Sequence, residues 1–295
     1  MNILISGASG FIGSYLVPSL LAENHTVYAY CRTPKNAPAG TIAIDRLSAM
    51  QGEAVDVIIN LAGAPISRYW NASYKQQLIN SRIQVTNDLM ACMNRLKDKP
   101  KLMMSASAVG YYGTHDADMM LDEHSSCQDG FTHQLCDKWE RAAKQAADWG
   151  VRLCIFRLGV VLGKGGALQK MLTAYRLGLG GRLGSGTQAF SWIHIDDAVR
   201  ALMYLMNAAH TCGIYNLTAP NPATNQAFSQ TLATVLKRPC WFTLPAWLVS
   251  VLFGEMGRTL LLSGQSVLPK RLLADEFVFQ YPKLKPALEQ LLLDQ

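Results

Sequence analysis

Three glycines at three-residue spacing stand near the start of the chain, in Ser6-Gly7-Ala8-Ser9-Gly10-Phe11-Ile12-Gly13, between an apolar run and a helix-forming stretch over residues 14–21. A strand that turns at once into a helix beside a pyrophosphate needs Gly7 for the tight turn, Gly10 for close approach and Gly13 for helix packing. Ser9, Phe11 and Ile12 fill the loop, and the N–H groups of the first helical turn then face an anion that the helix dipole favours. The chemistry expected here is binding of a dinucleotide. At the end of the second expected strand the sequence runs Tyr30-Cys31-Arg32-Thr33-Pro34-Lys35, with no acidic side chain to meet a ribose 2′-hydroxyl. Arg32 and Lys35 suit a 2′-phosphate, which favours NADP(H) over NAD(H); the alternative is that both are solvated loop charges.

Two further strand ends carry chemistry. One reads Asn60-Leu61-Ala62-Gly63-Ala64-Pro65, where small residues let the nicotinamide half of a cofactor lie against the backbone through Leu61, Ala62 and Gly63. The other reads Ser105-Ala106-Ser107-Ala108-Val109-Gly110-Tyr111-Tyr112-Gly113, which sets hydroxyls where a reacting carbonyl would sit. Ser107 can donate to a developing alkoxide, and Tyr111 or Tyr112 can move a proton. The alternative is that Ser107 caps the turn and the tyrosines pack.

These groups must be positioned by alternating short β-branched runs and longer helical stretches. Strands are expected over residues 2–6, 26–31, 41–44, 55–61, 101–105 and 152–157, and helices over 76–96 and 134–149. The alternation predicts an α/β fold, a Rossmann-type doubly wound parallel sheet. After Gly159 the pattern becomes irregular, so residues 1–160 are read as the dinucleotide-binding domain and 161–295 as a smaller substrate-capping and C-terminal portion from which segments can return to the sheet. The length of 295 residues, with 49% hydrophobic and 16% charged, suffices for a core of ordinary size. A net charge of +6 without a basic cluster interleaved with aromatics argues against a nucleic-acid partner.

Seven cysteines form no C-x-x-C pair and leave an odd count, which argues for reduced thiols, no metal site and a cytoplasmic setting. Met1-Asn2 leads directly into strand sequence, so no targeting segment is expected. The apolar stretch over 244–253 is broken by Gly254-Glu255 before it could cross a bilayer; it reads as a packed or interface helix, compatible with a homo-oligomer but not with a membrane protein.

In this order the motifs resemble the short-chain dehydrogenase/reductase superfamily, in its atypical extended, epimerase-like branch. The resemblance also rests on Ser81-Arg82 with Thr86, Leu135-Cys136 with Trp139-Glu140, Gly165-Gly166-Ala167-Leu168, Ser191-Trp192-Ile193-His194-Ile195-Asp196-Asp197, Tyr215-Asn216-Leu217 and Leu268-Pro269. As a set these look like the YfcH group of that branch. The resemblance implies the dinucleotide-binding fold, an NADP(H) preference, a small-molecule substrate and a short C-terminal domain.

Two departures bear on mechanism. The tyrosine four residues before a lysine that the superfamily uses as proton donor is absent: counting back from Glu140, those helix positions hold Thr132 and Cys136. The one Tyr-x-x-x-Lys match, Tyr281 to Lys285, contains Pro282 and lies far past the core. Where related extended enzymes carry an arginine that clamps a sugar nucleotide, four residues before His194, this chain has Phe190, which makes a sugar nucleotide less fitting. His194 with Asp196 and Asp197 is expected to mark a helix start capped by Asp196 rather than a metal site.

Overall fold

The computed structural model describes residues 1–293 of the chain. Strands β1 (Asn2–Ser6), β2 (Thr26–Tyr30), β3 (Ile42–Ile44), β4 (Val57–Asn60) and β5 (Leu102–Ala108) pair in parallel. Past the short β6 (Met120–Leu121), β7 (Arg152–Leu158) joins beside β5. Four short strands follow: β8 (Val160–Gly163), β9 (Gly181–Leu183), β10 (Ala189–Phe190) and β11 (Trp192–His194). The chain then returns through β12 (Gly213–Leu217), giving a seven-stranded parallel sheet of order β12-β7-β5-β4-β1-β2-β3.

All four residues of β4 and six of the seven in β5 are buried, because helices cover both faces, as parallel sheets require. Side chains alternate between those faces. On one, Ile3 and Ile5 meet Leu16, Val17 and Leu20 of α1 (Gly13–Ala22). On the other, Leu4, Ile58 and Met103 meet Leu89 and Met93 of α2 (Ala72–Arg95) and Ala143 of α3 (Phe131–Lys144). The helix expected over 134–149 thus begins three residues earlier and tightens to a 3-10 turn over Gln145–Trp149. The strand order reverses between β1 and β4, so the crevice at the carboxyl ends of these two strands is the place this architecture offers a ligand.

Segments past residue 160 return to the sheet and its core. Past α4 (Gly166–Arg176), α5 (Ile195–Asn207) packs Ala198, Leu202 and Leu205 into the same core as α1, and β12 completes the sheet. The rest comprises β13 (Ala223–Thr224), α6 (Asn225–Val235), β14 (Phe242–Leu244), α7 (Ala246–Leu260), β15 (Ser266–Val267), α8 (Lys270–Ala274) and α9 (Leu284–Leu293). Its short strands tie back to earlier ones, β13 to β10, β14 to β9 and β15 to β6. The outer edge of β12 is closed by side chains: Arg271 Nη1 donates to the carbonyls of Cys212 and Ile214, and Glu123 Oε1 accepts from the Asn216 N–H. Helix α7 is broken at Gly254 (φ 58°), where Tyr69 leaves no room for a side chain, and Lys75 to Glu255 clamps it to α2. It buries Val249 and Met256 but exposes Trp247 and Val251, so it is packed on one side only. Among the described residues no helix is long and apolar enough to cross a membrane.

Candidate dinucleotide and catalytic site

The turn after β1 is built as its glycines predict, each for a distinct steric reason. Gly7 has φ 78°, and a Cβ there would come 2.7 Å from the Leu61 carbonyl carbon, so the chain leaving β4 presses directly on the turn. A Cβ on Gly13 would meet the carbonyl oxygens of Ala8 and Gly7 at 2.4 and 2.5 Å. Gly10 differs: within 4 Å its Cβ would meet only Gly7 O, at 3.1 Å, so its other side is open. No side chain caps α1: the N–H groups of Ser14 and Tyr15 bond the carbonyls of Gly10 and Ile12, and the helix start ahead of them, over Phe11 to Gly13, is the part left to face an anion. Ser9 is exposed, and burial pushes the pKa of the nearby Cys31 thiol up.

Phe11 has a role no sequence pattern disclosed. Its ring lies against Gly163, Gly165 and Gly166, and a Cβ on any of the three would come within 3.0 Å of it. The glycines between β8 and α4 therefore form a slot that docks the second half of the chain onto the first loop. Ile12 is half-buried against the main core. Arg32 and Lys35 stand exposed just beyond β2, with no ion pair to either among the described residues.

The loop after β4 is braced from below. Asn60 accepts from Ser6 Oγ (2.6 Å) and from the Ala62 N–H (3.3 Å) and donates to Thr86 Oγ1 (2.8 Å). Ser81 Oγ accepts from the Ala64 N–H at 2.9 Å, and Arg82 donates to Ala64 O at 3.1 Å while its guanidinium lies against Gly63. Burial pulls the Arg82 pKa down. The Ser81, Arg82 and Thr86 motif of α2 is thus the scaffold that fixes Leu61, Ala62 and Gly63 beside the glycine turn.

At the end of β5 the structure assembles a buried polar network. Strand β5 runs to Ala108, so Ser107 lies within the strand and does not cap a turn; its hydroxyl donates to Glu140 Oε1 at 2.7 Å. Glu140 is held bidentately by Arg157 at 2.8 and 2.9 Å, with both side chains at most 2% exposed. Burial alone would lower the Arg157 pKa, but the hydrogen bonds and charge of Glu140 raise it. The Tyr111 ring covers the guanidinium, 3.4 Å from its centroid to the Arg157 carbon.

Tyr111 is half-buried, its pKa raised by burial, and its hydroxyl makes no hydrogen bond among the described residues. Tyr112, the other expected acid, is placed differently: it is fully buried, donates to Asn216 Oδ1 at 2.8 Å, and burial pushes its pKa up to about 12. The ring of Tyr112 belongs to the core because the 3-10 turn at Val109–Tyr112 points it back under the strand end.

The sequence profile of the NAD dependent epimerase/dehydratase family matches residues 3–218, the stretch that contains the glycine turn, the braced loop after β4 and, but for Asn2, the seven-stranded sheet. The chain belongs to that family. A second profile, a domain of unknown function named DUF1731, matches residues 244–291, from the last residue of β14 into α9. The human epimerase family protein SDR39U1 is 38% identical over 296 residues, covering 99% of both chains, and the Bacillus subtilis epimerase family protein YfhF is 35% identical over 301 residues, covering 100% of this chain and 99% of the relative. The crystal structure of human SDR39U1 (isoform2) with NADPH superposes with a TM-score of 0.90 at 34% identity, covering 100% of both chains.

In this epimerase-family chain the two expected catalytic helix positions are both buried. Thr132 packs against Gly110, and the Cys136 thiol is pushed up to about 11 by burial and by the charge of Glu140. Lys138, two residues on, is exposed. Phe190 packs on Phe228 with ring centroids 4.4 Å apart. One expectation is corrected at the start of α5: the cap is His194, whose Nδ1 accepts from the Asp196 N–H, not Asp196. Asp197 instead accepts the N–H groups of Gln280 and Tyr281 and so anchors the C-terminal segment. Tyr281 stacks on His194 at 4.0 Å, and Lys285 pairs with Glu289 on α9. What sequence reasoning missed was the Glu140 to Arg157 pair; its signal was an arginine directly after the apolar run Leu153-Cys154-Ile155-Phe156 of a strand.

Proposed function

We propose that this chain is an NADP(H)-dependent oxidoreductase or epimerase-like enzyme acting on a small carbonyl or alcohol substrate. The observation that carries the reading is the uncapped N-terminus of α1, reached through Gly7 and Gly10, together with exposed Arg32 and Lys35 at the end of β2. The NADPH in the crystal structure of human SDR39U1 supports the same cofactor here. Gly7, Ser9, Gly10, Phe11, Ile12 and Gly13 would hold the pyrophosphate, Arg32 and Lys35 the 2′-phosphate, and Leu61, Ala62 and Gly63 the nicotinamide half. NADP(H), when bound, supplies or takes up a hydride.

The chain's own residues supply the rest. Tyr111, with its raised pKa, keeps its proton at neutral pH and can donate it to an alkoxide. Ser107 can stabilise the same oxygen once its hydroxyl turns from Glu140, which stays satisfied by Arg157. Phe190 packed on Phe228 supports a small substrate over a sugar nucleotide. The motif set supports placement in the YfcH group, and the exposed Trp247 and Val251 of α7 support self-association.

The test is a fluorescence titration of Arg32→Ala. Loss of a charge-assisted contact should weaken NADPH by about 1.5–3 kcal/mol and leave NADH nearly unchanged. Equal losses for both, or a wild-type preference for NADH, refute the assignment. A second reading, an NADPH-binding sensor without turnover, is favoured by Thr132 and Cys136 in place of the tyrosine and lysine. NADPH consumption against a panel of quinones, aldehydes and keto sugars separates the two: tight binding with no consumption selects the sensor.

A further inference from the structure

We propose that Cys127 is a reactive thiol that undergoes thiol–disulfide exchange with small disulfides, with His133 as its base. His133 Nδ1 lies 2.6 Å from the Tyr111 carbonyl oxygen, and Nε2 lies 3.6 Å from Cys127 Sγ. A carbonyl only accepts, so Nδ1 carries the proton and the neutral ring presents the Nε2 lone pair to the thiol. Nucleophile, base and a third group that orients the base therefore stand in line.

Exposure selects this cysteine. Cys31, Cys92, Cys136 and Cys154 are buried, Cys240 is half-buried, and burial raises the pKa of all five, which disfavours their thiolates. Cys212 is exposed like Cys127 but lies in no such pair with a histidine among the described residues. In the exchange, Cys127 Sγ passes its proton to His133 Nε2 and attacks one sulfur of the disulfide. A new S–S bond forms, the old one breaks, and the leaving thiolate takes the proton, so the small disulfide is the oxidant and is reduced to one thiol. The adduct would stand beside the His133 ring, whose centroid is 5.0 Å from that of Tyr111.

The experiment incubates the full chain with oxidised glutathione and locates the adduct by mass spectrometry of peptides. It needs neither cofactor nor turnover, so its outcome is separate from that of the proposed reaction. Cys127 should be modified about tenfold faster than Cys212, and His133→Gln should bring it down to the Cys212 rate while Cys212 itself is unchanged. Equal rates at the two cysteines in the wild type overturn the proposal without any variant, and so does an unchanged Cys127 rate in a folded His133→Gln protein.

Discussion

Glu140→Gln is the most informative single change, because it removes the negative charge from a sealed network and little of its volume. Arg157 donates to both carboxylate oxygens at 2.8 and 2.9 Å, and the two side chains are 2% and 1% exposed. The amide offers one acceptor and one donor, so one of those bonds becomes a donor facing a donor, and the guanidinium is left charged in the core. Breaking a buried pair from one side costs about 3–5 kcal/mol, a large share of the roughly 5–15 kcal/mol that holds a protein of this kind together. For a chain of this size the melting temperature should fall on the order of 5–15 °C. Adding Arg157→Met should recover most of the loss, since the orphaned charge goes with it. Thermal and urea unfolding followed by circular dichroism measure both. A single variant within about 1 kcal/mol of wild type, or a double variant less stable than the single, refutes the reasoning.

The other predictions address the cofactor turn, the catalytic strand end and the C-terminal anchor. Gly10→Ala should fold normally and lose NADPH binding, whereas Gly13→Ala, whose Cβ would come 2.4 Å from Ala8 O, should lose stability by about 1–3 kcal/mol or more; melting curves beside a binding titration separate the two. Once a substrate is found, Ser107→Ala should lower the rate roughly a hundredfold or more, and Thr132→Ala with Cys136→Ala should stay within about tenfold; the reverse order of effects would misplace the reacting carbonyl. Burial lowers the His194 pKa below its ordinary 6.5, against the pull of Asp196, Gln290 and Asp197, so its contribution to stability is complete above that value and is lost as pH falls below it. Melting temperatures should therefore drop more on acidification in the wild type than in His194→Asn, which keeps a cap acceptor.

Where the cause is local the sequence reads most of the fold, although the α5 cap, expected at Asp196, is His194. The glycine turn is legible from residues 7 to 13, and the alternation of strands and helices follows from periodicity within each segment. For the same reason β1 and β2 were legible with their order along the chain. Boundaries drifted where a tertiary contact decides them: α3 starts at Phe131 because that ring packs on Trp70, and β5 runs on to Ala108 because β7 pairs with it through Leu158.

The sequence by itself determined that a strand, a glycine turn and a helix open the chain, that the sheet is parallel, that cations follow β2 and that the usual tyrosine and lysine are missing. Only the tertiary structure decided which hydroxyls are free. Tyr111 and Tyr112 are neighbours with the same chemistry, yet Tyr112 is claimed by Asn216, 104 residues away, and the Ser107 proton by Glu140, 33 residues away. The slot for Phe11, the clamp from Lys75 to Glu255 and the anchoring of Gln280 and Tyr281 by Asp197 likewise join distant segments. Periodicity reports which face of an element is buried, but a buried polar group takes whichever partner the sheet order brings beside it, and that order is a property of the whole chain.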